Sequence, residues 1–342
     1  MTIKASQNAL KSIMRRASVT PQTSLNIITF CTHERYEQNL CKTGHNFYSV
    51  KTGKTWDTDY GQSPENYFEI EEIPHHVNYD LILLQTNCNR LELAKKLKAL
   101  FHVPVIRHTH VLPDIRYDIE SQLQAFANAG LEAGIDHNTF ISEFSRNAWG
   151  LSVKNSSFIN HGIDTEFWTD TNDTERNATC LSVVNLWPDR DWCCGWELWK
   201  STVGYQSADS LPVTVVGKND QWGLSSAASS LEELRSHYGS SLIFLNTSLH
   251  SPVPMSLLEA MSCGCAIVST STCMVPEIIE HGYNGLLSND PKQLREYCEE
   301  LLKNPNKARE LGKNAQKTIR EKYNIDEFTK NWNNIFYKVI QD

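Results

Sequence analysis

The chain has 342 residues, 40% hydrophobic and 21% charged, with a formal net charge of −8. That length accommodates two domains of ordinary size, and the acidic balance argues against a protein whose main task is gripping phosphate backbones. No run of about 18 apolar residues offers a membrane-spanning helix, and the first 24 residues lack the apolar stretch of a secretory signal.

Residues 1–24 carry Lys4, Lys11, Arg15 and Arg16 and no acidic residue, with Ile3, Leu10, Ile13, Met14 and Ala17 at helical spacing. They read as a loosely packed basic tail, with weak membrane-surface contact as the alternative. Short β-branched runs then alternate with helical patterns. LNIITF (25–30), YDLILLQ (79–85) and VPVIRHT (103–109) read as buried strands, and 91–101 as a helix. NTFISEF (138–144) and SSFINHG (156–162) read as short strands around a helix near Ser145 to Leu151. The polar stretch 169–179 is the best linker. The alternation restarts with strands in 179–185, 211–217, 242–246 and 265–270 and helices over 195–201, 229–238, 254–263, 291–303 and 306–321. Such alternation predicts two α/β halves built on doubly wound parallel sheets. EFTKNWNNIFYKVI (327–340) reads as a terminal helix, with a return to the first domain as one option.

The ten cysteines follow no zinc spacing: Cys193 and Cys194 are adjacent, and Cys263 and Cys265 are one apart. They read as reduced thiols in a cytoplasmic protein, so the glycosylation sequons at Asn155, Asn172, Asn177 and Asn246 carry no meaning. His108 and His110 share a strand face without a third ligand at a supporting spacing, and no metal is expected. GKT (53–55) and Asp57-Thr58-Asp59 mimic phosphate- and metal-binding motifs out of context.

The most informative stretch is SPVPMSLLEAMSCGCAIVSTSTCMVPEIIEHGYNGLL (251–287). Its prolines forbid a strand, a helix follows, and Gly264 ends it. A helix starting at the carboxyl edge of a parallel sheet offers its amides and dipole to an anion. Ser251, Pro254, Met255, Ser256 and Leu257 line that start. Glu259, one turn in, suits the vicinal hydroxyls of a ribose. Glu277, at the next turn, is a similar candidate.

This stretch resembles the donor-binding region of the retaining glycosyltransferases of family 4, in the GT-B superfold. VPVIRHTH (103–110), FISEFSR (140–146), HGIDTEFW (161–168) and GYNGLL (282–287) resemble further motifs of that family in the same order. The resemblance implies two Rossmann-like domains facing a central cleft: an acceptor domain over 25–170, to which the helix 326–342 crosses back, and a nucleotide-sugar domain over 171–325. It implies transfer of a hexosyl or pentosyl group from a nucleotide-sugar with retention, the departing phosphate taking the acceptor proton, with no metal and no cofactor. His110 falls on the family's catalytic-site histidine. The chain departs from the family at three places. Ser251 stands where relatives have the first carboxylate of an E-x7-E pair, which contacts the donor sugar. CTHERYE (31–37), with His33, Glu34 and Arg35, replaces a glycine-rich loop. In VNLWPDRDWCCGW (184–196), Asn185 takes an arginine position and Arg190 stands near a pyrophosphate-gripping lysine, with Lys218 as a second cation.

Each residue also has a plain reading: Glu259 as a solvated helix carboxylate, Arg190 as a surface partner of Asp189 or Asp191, His110 as a satisfied strand-end histidine. The cluster Trp187, Trp192, Trp196 and Trp199 reads as core or interface ahead of a sugar-stacking platform, and Trp187 and Trp192, which flank Arg190, are the two expected nearest a ligand. A degenerate nucleotide- or glycan-binding protein and a sugar-nucleotide epimerase of the same superfold are the rival functions. The acceptor stays open between glycan, lipid-linked sugar, protein, small molecule and nucleic-acid base.

Overall fold

The computed structural model describes residues 2–58, 61–85, 90–150, 155–169 and 176–342. They form two units, Met1–Asn160 with Asp326–Asp342, and His161–Ile325.

The first unit is a seven-stranded sheet in the order β3-β2-β1-β4-β5-β6-β7, all neighbours parallel. Its strands are β1 (Asn26–Thr29), β2 (Asn46–Val50), β3 (Tyr67–Ile70), β4 (Leu81–Gln85), β5 (Val105–Thr109), β6 (His137–Phe140) and β7 (Ser156–Phe158). Every residue of β4 and β5 is buried, as expected of central parallel strands covered on both faces. The helices are α1 (Thr2–Ser18), α2 (Glu34–Cys41), α3 (Leu91–Phe101), α4 (Ile119–Ala133) and α5 (Glu143–Ala148), with α13 (Ile325–Gln341) returning from the end of the chain. Asp118 caps α4 by accepting from Ser121 N, and Gly134 ends it in the left-handed region.

Two sequence expectations change here. The basic tail is a helix fastened to the unit: Arg15 Nε donates to Asp80 Oδ1 at 2.9 Å and Ser12 Oγ to the His102 carbonyl at 2.9 Å. Leu10, Ile13 and Met14 stay on its exposed side. CTHERYE is no open loop, because α2 begins at Glu34 and buries Glu34, Tyr36 and Glu37.

The second unit holds a five-stranded parallel sheet, β12-β11-β10-β8-β9. Its strands are β8 (Asn177–Val183), β9 (Val213–Val216), β10 (Ser241–Asn246), β11 (Ala266–Ser269) and β12 (Leu286–Leu287). Between them run α6 (Asp191–Cys194), α7 (Trp196–Val203), α8 (Leu231–Ser240), α9 (Met255–Ser262) and α10 (Val275–Ile278), followed by α11 (Pro291–Lys303) and α12 (Pro305–Lys322). Trp187, Trp199, Leu242, Val268, Leu294 and Leu311 belong to one buried cluster. Arg176 ties the ends of α8 and α9 together, donating from Nη1 to the Tyr238 and Ser241 carbonyls and from Nη2 to that of Cys263. Most of the linker stretch, residues 170–175, lies outside the described residues.

Candidate functional site

At the carboxyl rim of the second sheet, the exits of β8 and β9 are locked together. Gly217 has φ +148, and a Cβ there would lie 2.0 Å from the Val184 carbonyl oxygen, so only glycine lets the chains pass. Asn219 Oδ1 accepts from Trp187 N at 2.9 Å, and its Nδ2 donates to the Val184 carbonyl at 2.8 Å. Asn185 Oδ1 accepts from Lys218 N at 2.9 Å. Asn185, at the position of the family's arginine, therefore serves the rim as a strut.

A 3-10 turn, Pro188–Arg190, follows. Arg190 is exposed, and its Nη1 folds back to within 3.5 Å of the Asn185 carbonyl. Its acidic neighbours are engaged elsewhere: Asp191 accepts from Glu197 N and Asp189 from Gln221. The geometry thus gathers Asn185, Arg190 and Lys218 at one rim.

The short helix after that turn, α6, is fastened to the loop that leads into α9. The Cys193 carbonyl accepts from Leu249 N at 2.9 Å and His250 N at 3.1 Å, and Thr247 Oγ1 donates to the Gly195 carbonyl at 3.0 Å. Thr270 and Thr272, after β11, donate their hydroxyls to the Ser248 carbonyl at 2.6 and 2.7 Å. Ser251, Pro254, Met255 and Ser256 are half-buried and Leu257 is buried. Among the described residues no side chain caps the start of α9, so its first-turn amides suit an anion.

Glu259 departs from expectation. It is not a solvated carboxylate: it is 0% exposed, and its Oε2 accepts from Tyr238 Oη at 3.0 Å. The Tyr238 ring packs edge-on against Trp168, whose carbonyl accepts from Ser262 Oγ. Trp187 is removed from any ligand: it is buried in the core, with Nε1 donating to the Cys194 carbonyl at 2.9 Å. Trp192 is half-buried, its ring near His250. Glu277 is exposed on α10, and after burial its charge helps push the Tyr323 hydroxyl up to about 12.

In the first unit the exits of β1, β4 and β5 converge. His33 is exposed at the start of α2 and Arg35 is half-buried. Glu34 is buried and structural: it pairs with Lys54 Nζ at 2.9 Å and accepts from Asp57 N. The GKT lysine is thereby accounted for, while Asp59 lies outside the described residues. His110 is half-buried at the end of β5. Its Nε2 is 2.8 Å from Gln85 Oε1, and its ring meets Tyr36 and His108 edge-on. His108 is fully buried and bonded to Thr139. The Tyr36 hydroxyl accepts from Trp332 Nε1 of α13 at 3.1 Å. Among the described residues no three His, Cys, Asp or Glu side chains cluster to hold a metal, no helix is long and apolar enough to cross a membrane, and the cysteines are free thiols.

Sequence reasoning missed two groups: the Thr247, Ser248, Thr270 and Thr272 rim, and Glu37 with Gln85 beneath His110. The first is visible only as polar residues just past apolar runs. The second has no sequence signal, since its members lie 48 residues apart.

Residues 217–318 match the family model of glycosyl transferases group 1. An uncharacterized glycosyltransferase of Methanocaldococcus jannaschii is 34% identical over 87 residues, 25% of this chain and 22% of that relative. The N-acetyl-alpha-D-glucosaminyl L-malate synthase of Bacillus anthracis is 31% identical over 88 residues, 25% and 23% of the two chains. The matches thus span about a quarter of those relatives' length. The HepE protein of Anabaena in complex with UDP superposes with a TM-score of 0.72 at 12% identity, over 92% of this chain and 100% of that one. The chain therefore has the GT-B fold, two parallel-sheet α/β domains, and its residues 217–318 are similar to the glycosyl transferases of group 1.

Proposed function

We propose that the protein is a retaining glycosyltransferase of family 4 that moves a glycosyl group from a nucleotide-sugar to an acceptor. The observation that carries this reading is the rim of the second unit: Arg190, Lys218 and the uncapped start of α9 belong to loops held by one set of bonds. The UDP and UDP-glucose bound by Anabaena HepE point to a uridine nucleotide-sugar as the first donor to try.

As the glycosidic bond breaks, charge develops on the leaving diphosphate. Fixed positive charge and amide dipoles aimed there lower the barrier. The Arg190 guanidinium can clamp two phosphate oxygens, Lys218 adds a second charge, and Met255 and Ser256 contribute amides. With that charge work assigned to the chain, we propose that neither metal nor cofactor takes part. The departing phosphate takes the acceptor proton, and the role proposed for His110 is either a hydrogen bond to the donor sugar or support of its developing positive charge. Glu259, bonded to Tyr238, joins α8 to α9 and is proposed to serve the ribose from beneath the start of α9. Ser251, Pro254, Leu257, Asn185 and Glu277 shape the surround, and His33 and Arg35, at the start of α2, are further candidates in the unit that holds His110. Cytoplasmic residence belongs to the same reading, with Leu10, Ile13 and Met14 of α1 as a peripheral membrane contact.

A thermal-shift panel of UDP-, GDP-, ADP- and CMP-sugars tests the donor. A donor at 100 times its dissociation constant adds about 2.7 kcal/mol of stability. Ser251 in place of a carboxylate, together with the buried Glu259, favours one second reading, a nucleotide-binding protein without turnover. Calorimetric binding with no hydrolysis or transfer across a donor and acceptor panel selects it. Product analysis on donor alone identifies an epimerase.

A further inference from the structure

Glu37 is buried on α2 without an ion-pairing role in the mechanism above. Gln85, at the end of β4, is equally buried, and its Nε2 donates to Glu37 Oε1 at 2.6 Å. That bond orients the carboxamide, nitrogen toward the carboxyl and oxygen away from it. The oxygen accepts from Thr32 Oγ1 at 3.1 Å and faces His110 Nε2 at 2.8 Å. A carboxamide oxygen only accepts, so the ring nitrogen facing it carries the proton. In the neutral imidazole the lone pair then sits on Nδ1. Tyr36 and His108 hold the plane of the ring from two sides, with centroids 4.5 and 4.4 Å away.

We propose that Glu37 and Gln85 are positioning residues that act through His110: the carboxyl aligns the carboxamide, and the carboxamide holds the imidazole in its Nε2–H form. For catalysis this rests on the sugar-transfer reading; the tautomer itself does not. A carbonyl-type oxygen at position 37 is all the arrangement needs, so a glutamine there preserves it. Burial first of all pushes the Glu37 carboxyl up, to about 8, against the stabilising Thr32 amide and Gln85. The charged and titratable groups around it are Glu34 with Lys54, Cys31 after β1, Tyr67 on β3, Cys41 on α2 and Arg90 before α3.

The test uses the full chain labelled with 15N-histidine, the His110 ring signals being identified by their loss in His110→Gln. Wild type and Glu37→Gln are expected to show the Nε2–H pattern. Gln85→Leu and Glu37→Leu are expected to show mixed tautomers and a His110 titration midpoint moved by about one pH unit. A wild-type Nδ1–H pattern, or an unchanged pattern in Gln85→Leu, overturns the proposal. If the leucine variants do not fold, the ring signals of wild type and Glu37→Gln are read alone, and an Nδ1–H pattern in either overturns the proposal. With a donor that turns over, Gln85→Leu is expected to lower kcat at least about tenfold with KM little changed, and Glu37→Gln to retain what Glu37→Leu loses. Should the wild type turn over no donor, the sugar-transfer reading fails while the ring signals still decide this one.

Discussion

Arg190 is the residue on which the proposed chemistry leans most, and its surroundings show why one cation can matter. It is exposed, its acidic neighbours are occupied elsewhere, and its guanidinium lies against the Asn185 carbonyl. Arg190→Ala is expected to lower kcat about a hundredfold, roughly 3 kcal/mol of barrier, with the melting temperature little changed. Equal turnover in the variant would remove Arg190 from the mechanism. Glu37 gives a prediction of a different kind. Its folded value is about 8 against an ordinary 4.5, so between those values the native state holds a proton that the unfolded chain has released. Its contribution is full below about pH 4.5 and is lost as pH rises toward 8, with a slope of up to about 1.4 kcal/mol per unit. His45 and His137, lowered to about 4 mainly by burial, act oppositely, adding stability as pH rises from 4 to 6.5. Urea unfolding of wild type and Glu37→Gln across pH 5–8 isolates the carboxyl, and the variant should lose stability less steeply as pH rises. Arg190 is singled out in the sequence by its place near the position of a pyrophosphate-gripping lysine, in a segment that otherwise departs from that motif. Trp187 flanks Arg190 in the sequence yet lies in the core, and a core tryptophan and a stacking tryptophan look alike until the packing is known. Glu37 was missed because a buried carboxylate on a short polar helix reads as surface.

The elements that matter most are the loops that close on one another at the second sheet's rim. Gly217 and Gly195 are the fixed points. A Cβ on Gly195, at φ +66, would lie 2.0 Å from the Thr247 carbonyl oxygen, the same separation that Gly217 would have from Val184. Gly217→Ala and Gly195→Ala are each expected to cost about 2 kcal/mol or more, combining left-handed strain with a backbone clash, and to weaken nucleotide binding beyond that. Chemical denaturation with parallel calorimetry checks both; full stability in either variant contradicts the lock. In the first unit, Trp332 of α13 is fully buried, bonded to Tyr36 and packed on His108 and Phe336. Trp332→Ala is expected to cost about 3–5 kcal/mol. Apolar runs such as LILLQ announce their strands. The β2 and β3 segments NFYSV and YFEI are only partly buried, and lack that signal. Helix α4 buries only Gly130 and Ala133, so its apolar periodicity was too faint to read.

At the scale of the whole molecule, alternation of buried runs with helices is enough to specify two parallel α/β sheets, and the fold follows it. The chain is acidic overall, at −8, so an anionic nucleotide is drawn by a local feature and its affinity should fall with salt. The most direct measurement of that feature is amide hydrogen exchange on the intact chain, with and without a saturating nucleoside diphosphate or nucleotide-sugar. Slowed exchange concentrated in residues 184–190, 217–219 and 255–257 is the result this account predicts. Saturating ligand that leaves those three segments unchanged, or protects only regions away from them, would contradict it.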